Sequence, residues 1–274
     1  QQVEYVKGAD YQTGLDVDKA RASARNADAN VLALGESSYC ETPGNIDNLN
    51  IPEAQQQLAK AMAETGKPVI LLLLEGRPRI ISSFAEDMDA VLMANLLGNK
   101  GGVALAEILS GEINPSGKLP FTYPRYCNAL VPYNHKHTQS LNRMDGTPEF
   151  NPQYEFGDGL SYTSFAYTGL SLDKEELSAG EQLNVSVEVK NTGDRKGKEA
   201  VLLFLRDHYA TITPAVKKLR GFKKIELEPG ESRNVKFTLD KDDLTFVNND
   251  LEHVVEAGKF SVMVNDQKAE FEWK

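Results

Sequence analysis

The spacing of apolar residues divides the chain into two parts with different periods. Up to residue 125, short apolar runs alternate with segments whose apolar positions recur at helical spacing. A strand is predicted over residues 3–6. A helix follows over 16–26, with Val17, Ala20 and Ala24 on one face and Asp16 as its cap. Residues 31–34 read as a buried strand ending at Gly35, and 52–64 as a helix with Pro52 in its first turn and Gly66 just past its end. Then come a strand over 68–74, a short helix over 78–85, a strand over 90–93 and a helix over 101–109. Alternation of this kind builds a mostly parallel sheet with helices on both faces, an α/β sandwich. Ligands of such sheets bind in the loops that follow the strands.

Residues 126–165 show no period and are rich in Pro, Asn, His and Tyr, which marks an ordered connector. From residue 166 the period becomes two. Leu183, Val185, Val187 and Val189 alternate with polar partners, Asn191-Thr192-Gly193-Asp194 is a turn signal, and 200–206, 232–239, 258–264 and 271–273 read as further strands. Short strands at this spacing predict an all-β, immunoglobulin-like sandwich. The expected organisation is therefore 1–125, connector 126–165, and 166–274.

Composition narrows the function classes. With 41% hydrophobic and 26% charged residues among 274, the chain is ordinary for a folded protein. The formal net charge of -10 argues against a nucleic-acid partner. No apolar run approaches the length of a membrane span. Two cysteines, Cys40 and Cys127, make no disulfide framework. The first residues lack an initiator methionine and the features of a signal peptide, so the chain is expected to be a processed product or part of a longer protein.

The loop after the 31–34 strand holds the most chemistry. It reads Gly35-Glu36-Ser37-Ser38-Tyr39-Cys40-Glu41-Thr42-Pro43-Gly44-Asn45. Two carboxylates five residues apart at a strand end can present a general acid, whose pKa rises with partial burial or a neighbouring negative charge. A pair of solvated glutamates is the plainer alternative.

Taken in order along the chain, several motifs resemble glycoside hydrolase family 3. The loop, with its continuation Asn48-Leu49-Asn50-Ile51-Pro52, resembles that family's acid/base loop. Asn114-Pro115-Ser116-Gly117-Lys118-Leu119-Pro120-Phe121-Thr122-Tyr123-Pro124 resembles the segment closing the family's second domain, and Phe156-Gly157-Asp158-Gly159-Leu160-Ser161-Tyr162-Thr163 its connector. Asn191-Thr192-Gly193, Leu219-Arg220-Gly221-Phe222 and Glu228-Pro229-Gly230-Glu231-Ser232 are similar to its fibronectin type III-like domain.

The pattern is most like periplasmic β-glucosidases. The resemblance implies the C-terminal portion of a retaining, exo-acting β-glucosidase that acts on β-glucosides or oligosaccharides in the periplasm or outside the cell. A missing N-terminal (β/α)8 domain would supply the nucleophilic Asp. Within the loop it implies Glu41 as general acid/base, with Glu36 as runner-up. Glu36 would otherwise brace the loop by accepting backbone N–H bonds, and its charge would favour the protonated form of Glu41. Neither a cofactor nor a metal is implied. Asn95-Leu96-Leu97-Gly98-Asn99-Lys100-Gly101-Gly102 departs from the family's pattern by lacking its Trp, Pro and Glu, which bears on subsite contacts.

The remaining features have plain readings. His135-Lys136-His137 lacks the further ligands of a zinc site and reads as surface. Gly98-x-x-Gly101-Gly102 does not follow the order of a phosphate-binding turn, which disfavours a nucleotide-binding protein. Trp273 is expected in the sandwich core rather than against a sugar. The rival to an enzyme fragment is a non-catalytic carbohydrate-binding or scaffolding module, since fold alone does not fix function.

Overall fold

A computed structural model describes residues 2–142, 144 and 146–274. The chain forms two compact units. The first comprises Gln1–Ala106, Tyr123–Leu130 and Asn151–Tyr154, and the second Glu107–Thr122, Val131–Phe150 and Glu155–Lys274.

In the first unit, helix α1 (Val17–Asn26) starts where Asp16 accepts the Lys19 N–H at 2.9 Å, which satisfies one of the free amides of the first turn. Strand β1 (Asn30–Gly35), helix α2 (Glu53–Ala63), strand β2 (Val69–Leu74) and strand β3 (Ala90–Met93) follow, and helix α3 (Gly101–Leu109) begins in this unit. The strands form a parallel sheet in the order β1-β2-β3. β2 is the central strand; Val69, Leu71 and Leu73 are almost wholly buried on one face, and Leu72 is buried on the other, as a strand covered on both faces requires. Register pairs Gly35 with Leu74, so β1 and β2 end level and release their loops side by side. Gly35 has φ +155, and a Cβ there would lie 2.0 Å from the Leu74 carbonyl oxygen. Only glycine permits that approach.

Two expected elements are absent. Residues 3–6 form no strand; Val3 is 88% and Tyr5 83% exposed, and among the described residues the segment pairs with no other strand. Alternation fixes which side chains could share a face, but a strand also needs a neighbour to bond with. Residues 78–85 form no α-helix. Ile80 donates its N–H to the Leu49 carbonyl and accepts that of Ile51, so the backbone is extended there, with Ile80 and Ile81 buried; a 3-10 turn follows at Ala85–Asp87. Two consecutive β-branched residues with a core to fill favour this over a helix.

The second unit is a two-sheet sandwich. Its strands are β4 (Phe165–Leu172), β5 (Glu176–Leu177), β6 (Leu183–Asn191), β7 (Gly197–Asp207), β8 (Lys218–Leu227) and β9 (Ser232–Leu239). After the short helix α4 (Lys241–Leu244) come β10 (Phe246–Val247), β11 (His253–Val254), β12 (Gly258–Val264) and β13 (Gln267–Trp273). A five-stranded sheet, β5-β13-β12-β7-β8, faces a three-stranded one, β4-β6-β9. Their inward residues, including Val187, Leu203, Val262 and Trp273, make one core. β8 escapes the alternation rule because it is an edge strand studded with lysine, a composition that discourages edge-to-edge pairing.

Several family-like motifs act as knots in this unit. Asn191 is fully buried. Its Oδ1 accepts from Thr163 Oγ1 at 2.7 Å and Gly193 N at 3.1 Å, and its Nδ2 donates to the Arg195 and Leu227 carbonyls. Asn114 accepts from Ser161 Oγ and Tyr162 N and donates to the Lys196 carbonyl. His135, expected at the surface, is buried and stacked on Phe150 with ring centroids 3.6 Å apart. Asn191→Ala would strand buried partners of the lost amide, so it is expected to destabilise this unit by about 3 kcal/mol or more, read as a lowered denaturation midpoint.

Candidate active site

The level ends of β1 and β2 bring two charged segments together, Gly35-Glu36 from one strand and Glu75-Gly76-Arg77-Pro78-Arg79 from the next. The Glu36 backbone N–H donates to the Leu74 carbonyl at 3.0 Å, which continues the sheet by one bond. Glu36 Oε1 accepts from Arg77 Nε and from Arg79 Nη1, each at 3.0 Å. The Glu36 carboxylate is 8% exposed and the Arg79 side chain 9%. Arg79 Nη2 also donates to the Asn50 carbonyl at 2.6 Å and so ties down the far end of the loop. Glu36 does brace the loop, but its donors are guanidinium groups of the neighbouring strand end rather than backbone amides. Its charge is met by two positive ones.

Tyr39 locks the middle of the loop. The Arg77 guanidinium lies 4.1 Å from its ring centroid. A Cβ at Gly44 would meet the ring at 2.5 Å, and one at Gly76 would meet the hydroxyl at 2.4 Å. The two glycines thus form the slot into which the tyrosine fits.

Glu41 has the opposite environment to Glu36. It is exposed and, among the described residues, its carboxylate has no hydrogen-bond or ion-pair partner. Its backbone has φ 49 and ψ -140, unusual for a residue with a side chain, and its carbonyl accepts the Gly44 N–H at 2.9 Å to start the 3-10 turn Thr42–Gly44. One carboxylate is held and the other is free. Cys40 and Cys127 are both free thiols.

Sequence reasoning missed Glu75, Arg77 and Arg79. The available signal was the run of charge directly after the apolar strand 69–74, the same strand-end position that drew attention to Glu36. Glu75 is fully buried, and burial pushes its pKa up to about 7. Its hydrogen bonds act in both directions. Tyr123 Oη lies 2.8 Å from Glu75 Oε1 and 2.6 Å from the Arg79 carbonyl. A phenol has one proton and a carbonyl has none, so both contacts are satisfied together when Glu75 is protonated, whereas the Arg79 N–H, which donates to the same Oε1 at 3.3 Å, favours the ionised form. Burial also raises the Tyr123 pKa, which keeps the phenol neutral.

A second arrangement resembling a nucleophile set lies in the second unit, where His208 Nε2 is 2.6 Å from Ser261 Oγ. Ser261 is wholly buried, and Glu270, at 4.0 Å, approaches the same ring nitrogen. A carboxylate that orients a catalytic histidine must approach the other nitrogen.

The Glu75 carboxyl binds its proton more tightly in the folded state than in the unfolded one. Its contribution to stability is therefore full below about pH 4.5 and is lost as pH rises to about 7, a change on the order of 3 kcal/mol. Glu75→Gln keeps a neutral side chain of the same shape. The difference in stability between the native chain and this variant should shift in the variant's favour across that window, as measured by urea denaturation at a series of pH values; a pH-independent difference would contradict a neutral Glu75.

Residues 3–162 match the model of the glycosyl hydrolase family 3 C-terminal domain, and residues 199–268 that of a fibronectin type III-like domain. Similar proteins include a lysosomal beta glucosidase of Dictyostelium discoideum, 39% identical over 92% of this chain and 31% of its own length. A beta-xylosidase of Formosa agariphila is 37% identical over 95% of this chain and 38% of its own length, and a periplasmic beta-glucosidase of Salmonella typhimurium 35% identical over 92% and 34%. The crystal structure of the Listeria innocua beta-glucosidase in complex with glucose superposes with a TM-score of 0.89 at 35% identity, covering 97% of this chain and 39% of that one. The chain thus spans about a third of the length of the curated relatives it matches. With a family model covering more than half of its residues, the chain belongs to glycoside hydrolase family 3.

Proposed function

We propose that this chain supplies the general acid/base carboxylate, Glu41, to a retaining exo-β-glucosidase whose nucleophile is carried by a separate (β/α)8 domain. The observation that carries this reading is the contrast within the loop. Glu36 is buried against two guanidinium groups, whereas Glu41 is exposed and unpaired on a loop locked at Tyr39. An acid/base must give up and regain a proton at the substrate, which requires a carboxylate open to it.

In the reaction, an Asp of the barrel domain attacks the anomeric carbon of a terminal β-glucosyl residue. Glu41 gives its proton to the departing glycosidic oxygen. Glu41, now ionised, takes a proton from water as that water displaces the barrel carboxylate, so stereochemistry is retained overall. Glu36, Arg77 and Arg79 hold the loop and take no part in proton transfer. A periplasmic or secreted location is supported by the relative named periplasmic, and no helix among the described residues is long and apolar enough to cross a membrane.

The test uses the complete polypeptide with its barrel domain. Glu41→Gln is expected to lower kcat/KM on an alkyl glucoside by about 100-fold or more, in line with removing general acid–base catalysis. It should cost much less on a dinitrophenyl glucoside, whose leaving group needs no proton, and added azide should be captured as a β-glucosyl azide. Glu36→Gln should reduce stability and activity on both substrates together, without azide rescue. If Glu36→Gln instead shows the leaving-group dependence, the assignment of the two glutamates is reversed. The 274-residue chain alone is expected to show no turnover.

One observation favours a carbohydrate-binding role for the chain by itself. An open groove of about 590 Å³ beside α2 is lined by Gln12, Asn48, Asn50, Gln56 and Gln57 together with Glu53, Lys60 and Arg79. Amide side chains of this kind pair with sugar hydroxyls. Calorimetric titration with cello-oligosaccharides distinguishes the readings: saturable binding abolished by Gln56→Ala supports a binding module, and no heat leaves the catalytic reading alone.

A further inference from the structure

The fibronectin type III-like unit contains a pocket that the glycosidase reading does not use. Its volume is about 270 Å³, near the lower limit of small-molecule sites, which suits a compact ligand with a single ring. It lies where β7, β8 and β12 approach the segments 210–215 and 244–247. The floor is apolar, made by Leu244, Phe246 and the buried Phe260. Three cations line the walls: Lys136, Lys218 and Arg220, with Asp207 as the single carboxylate.

A concentration of positive charge is notable in a chain of net charge -10. Asp207 acts on Lys218, and Asp243 on Arg220, through space rather than in contact. Among the described residues none of the three makes an ion pair. Lys136 donates to the Thr213 carbonyl at 2.6 Å. Arg220 has one weak bond, Nη2 to the Thr245 carbonyl at 3.5 Å, and its Nε is buried without a partner. Lys218 is half-buried, and burial together with the charges of Arg220 and Lys136 pushes its pKa down. Asp207 is driven the other way by burial, up to about 6. Half-buried charges without a direct partner carry part of the desolvation cost of a fully buried one. A ligand that brought one negative charge would offset that cost, and the apolar floor would take its hydrocarbon body. A compact dianion such as phosphate suits the site less well, because Asp207 opposes a second negative charge and phosphate has nothing to place on Phe246.

From this pocket we infer that the fibronectin type III-like unit binds a small organic monocarboxylate, its carboxylate among Lys136, Lys218 and Arg220 and its apolar body on Leu244, Phe246 and Phe260. The inference stands independently of the catalytic reading, since no residue of the acid/base loop is involved.

Benzoate is a suitable probe, with benzyl alcohol as its neutral counterpart and inorganic phosphate as an anion without an apolar body. Titrated into the intact 274-residue chain and followed by calorimetry or amide NMR shifts, benzoate should bind saturably with a Kd of about 1 mM or tighter, at least roughly 10-fold better than either control. Lys218→Met and Arg220→Met keep much of the apolar stem and remove the charge; each should weaken benzoate by about 10-fold. Asp207→Asn should strengthen it, a gain that a damaged fold cannot imitate. Equal binding of benzoate and benzyl alcohol, phosphate binding as tightly as benzoate, unchanged affinity in both methionine variants, weaker binding in Asp207→Asn, or no saturable binding to the native chain would each overturn the assignment.

Discussion

The loop that follows β1 depends on the pairing of Glu36 with Arg77 and Arg79. The loop is polar, rich in turn formers and leaves the sheet directly after Glu36, so its own sequence gives it little reason to hold one shape. The two guanidinium groups come from the adjacent parallel strand, and they can reach Glu36 because β1 and β2 end in register. Arg79 extends the tie to the Asn50 carbonyl, fixing the loop at its exit as well as its entry. Burying these charges is not by itself a strong source of stability. Its value is geometric: removing the carboxylate would leave two cations facing a largely buried space, so alternative arrangements of the loop are penalised. Beneath it, the Glu75 carboxyl and Tyr123 hold the Arg79 backbone, which supports the arginine that supports Glu36.

Much of the fold was legible from apolar spacing. The parallel strands β1 to β3 and helices α1 to α3 follow directly from period and capping residues, and the alternation at Leu183–Val189 marks the centre of the sandwich. What failed did so for identifiable reasons. Residues 3–6 have the pattern of a strand and no strand to pair with. Residues 78–85 look helical in composition, yet Ile80 and Ile81 have a core to enter and a neighbouring backbone at Leu49 and Ile51. β8 has too much lysine to read as a strand because it lies at an edge. In the site, the free glutamate and its loop were visible, but their supports were not, because Glu75, Arg77 and Arg79 lie some forty residues away from Glu36 in sequence and meet it only through sheet register.

The motifs that carried the family resemblance divide into two kinds. Asn114, Asn191 and the Gly157–Gly159 segment organise backbone and carry no chemistry. Asn191 fills a fully buried position with four hydrogen bonds, and Gly159 stands where a Cβ would meet the Gly117 carbonyl oxygen at 2.2 Å. Such residues identify a fold because few substitutes satisfy the same geometry. The Glu36 to Gly44 loop belongs to both kinds at once, since Tyr39, Gly44 and Glu36 are structural and Glu41 is the one carboxylate they leave open.

That division explains why Glu41 can occupy so awkward a backbone conformation. Its φ of 49 with ψ of -140 is a region that residues with side chains avoid, at a cost of about 1–3 kcal/mol. A free loop would relax out of it. Here Tyr39 is clamped under Arg77 two residues before, and Gly44 is packed against the same ring three residues after, so the segment between has little room to turn. The glutamate is thereby aimed by its neighbours rather than by contacts of its own. A carboxylate held through its own hydrogen bonds would have to break them to meet another group; one held through the backbone does not. A tyrosine in a two-glycine slot is therefore a means of orienting a carboxylate while leaving both of its oxygens unencumbered.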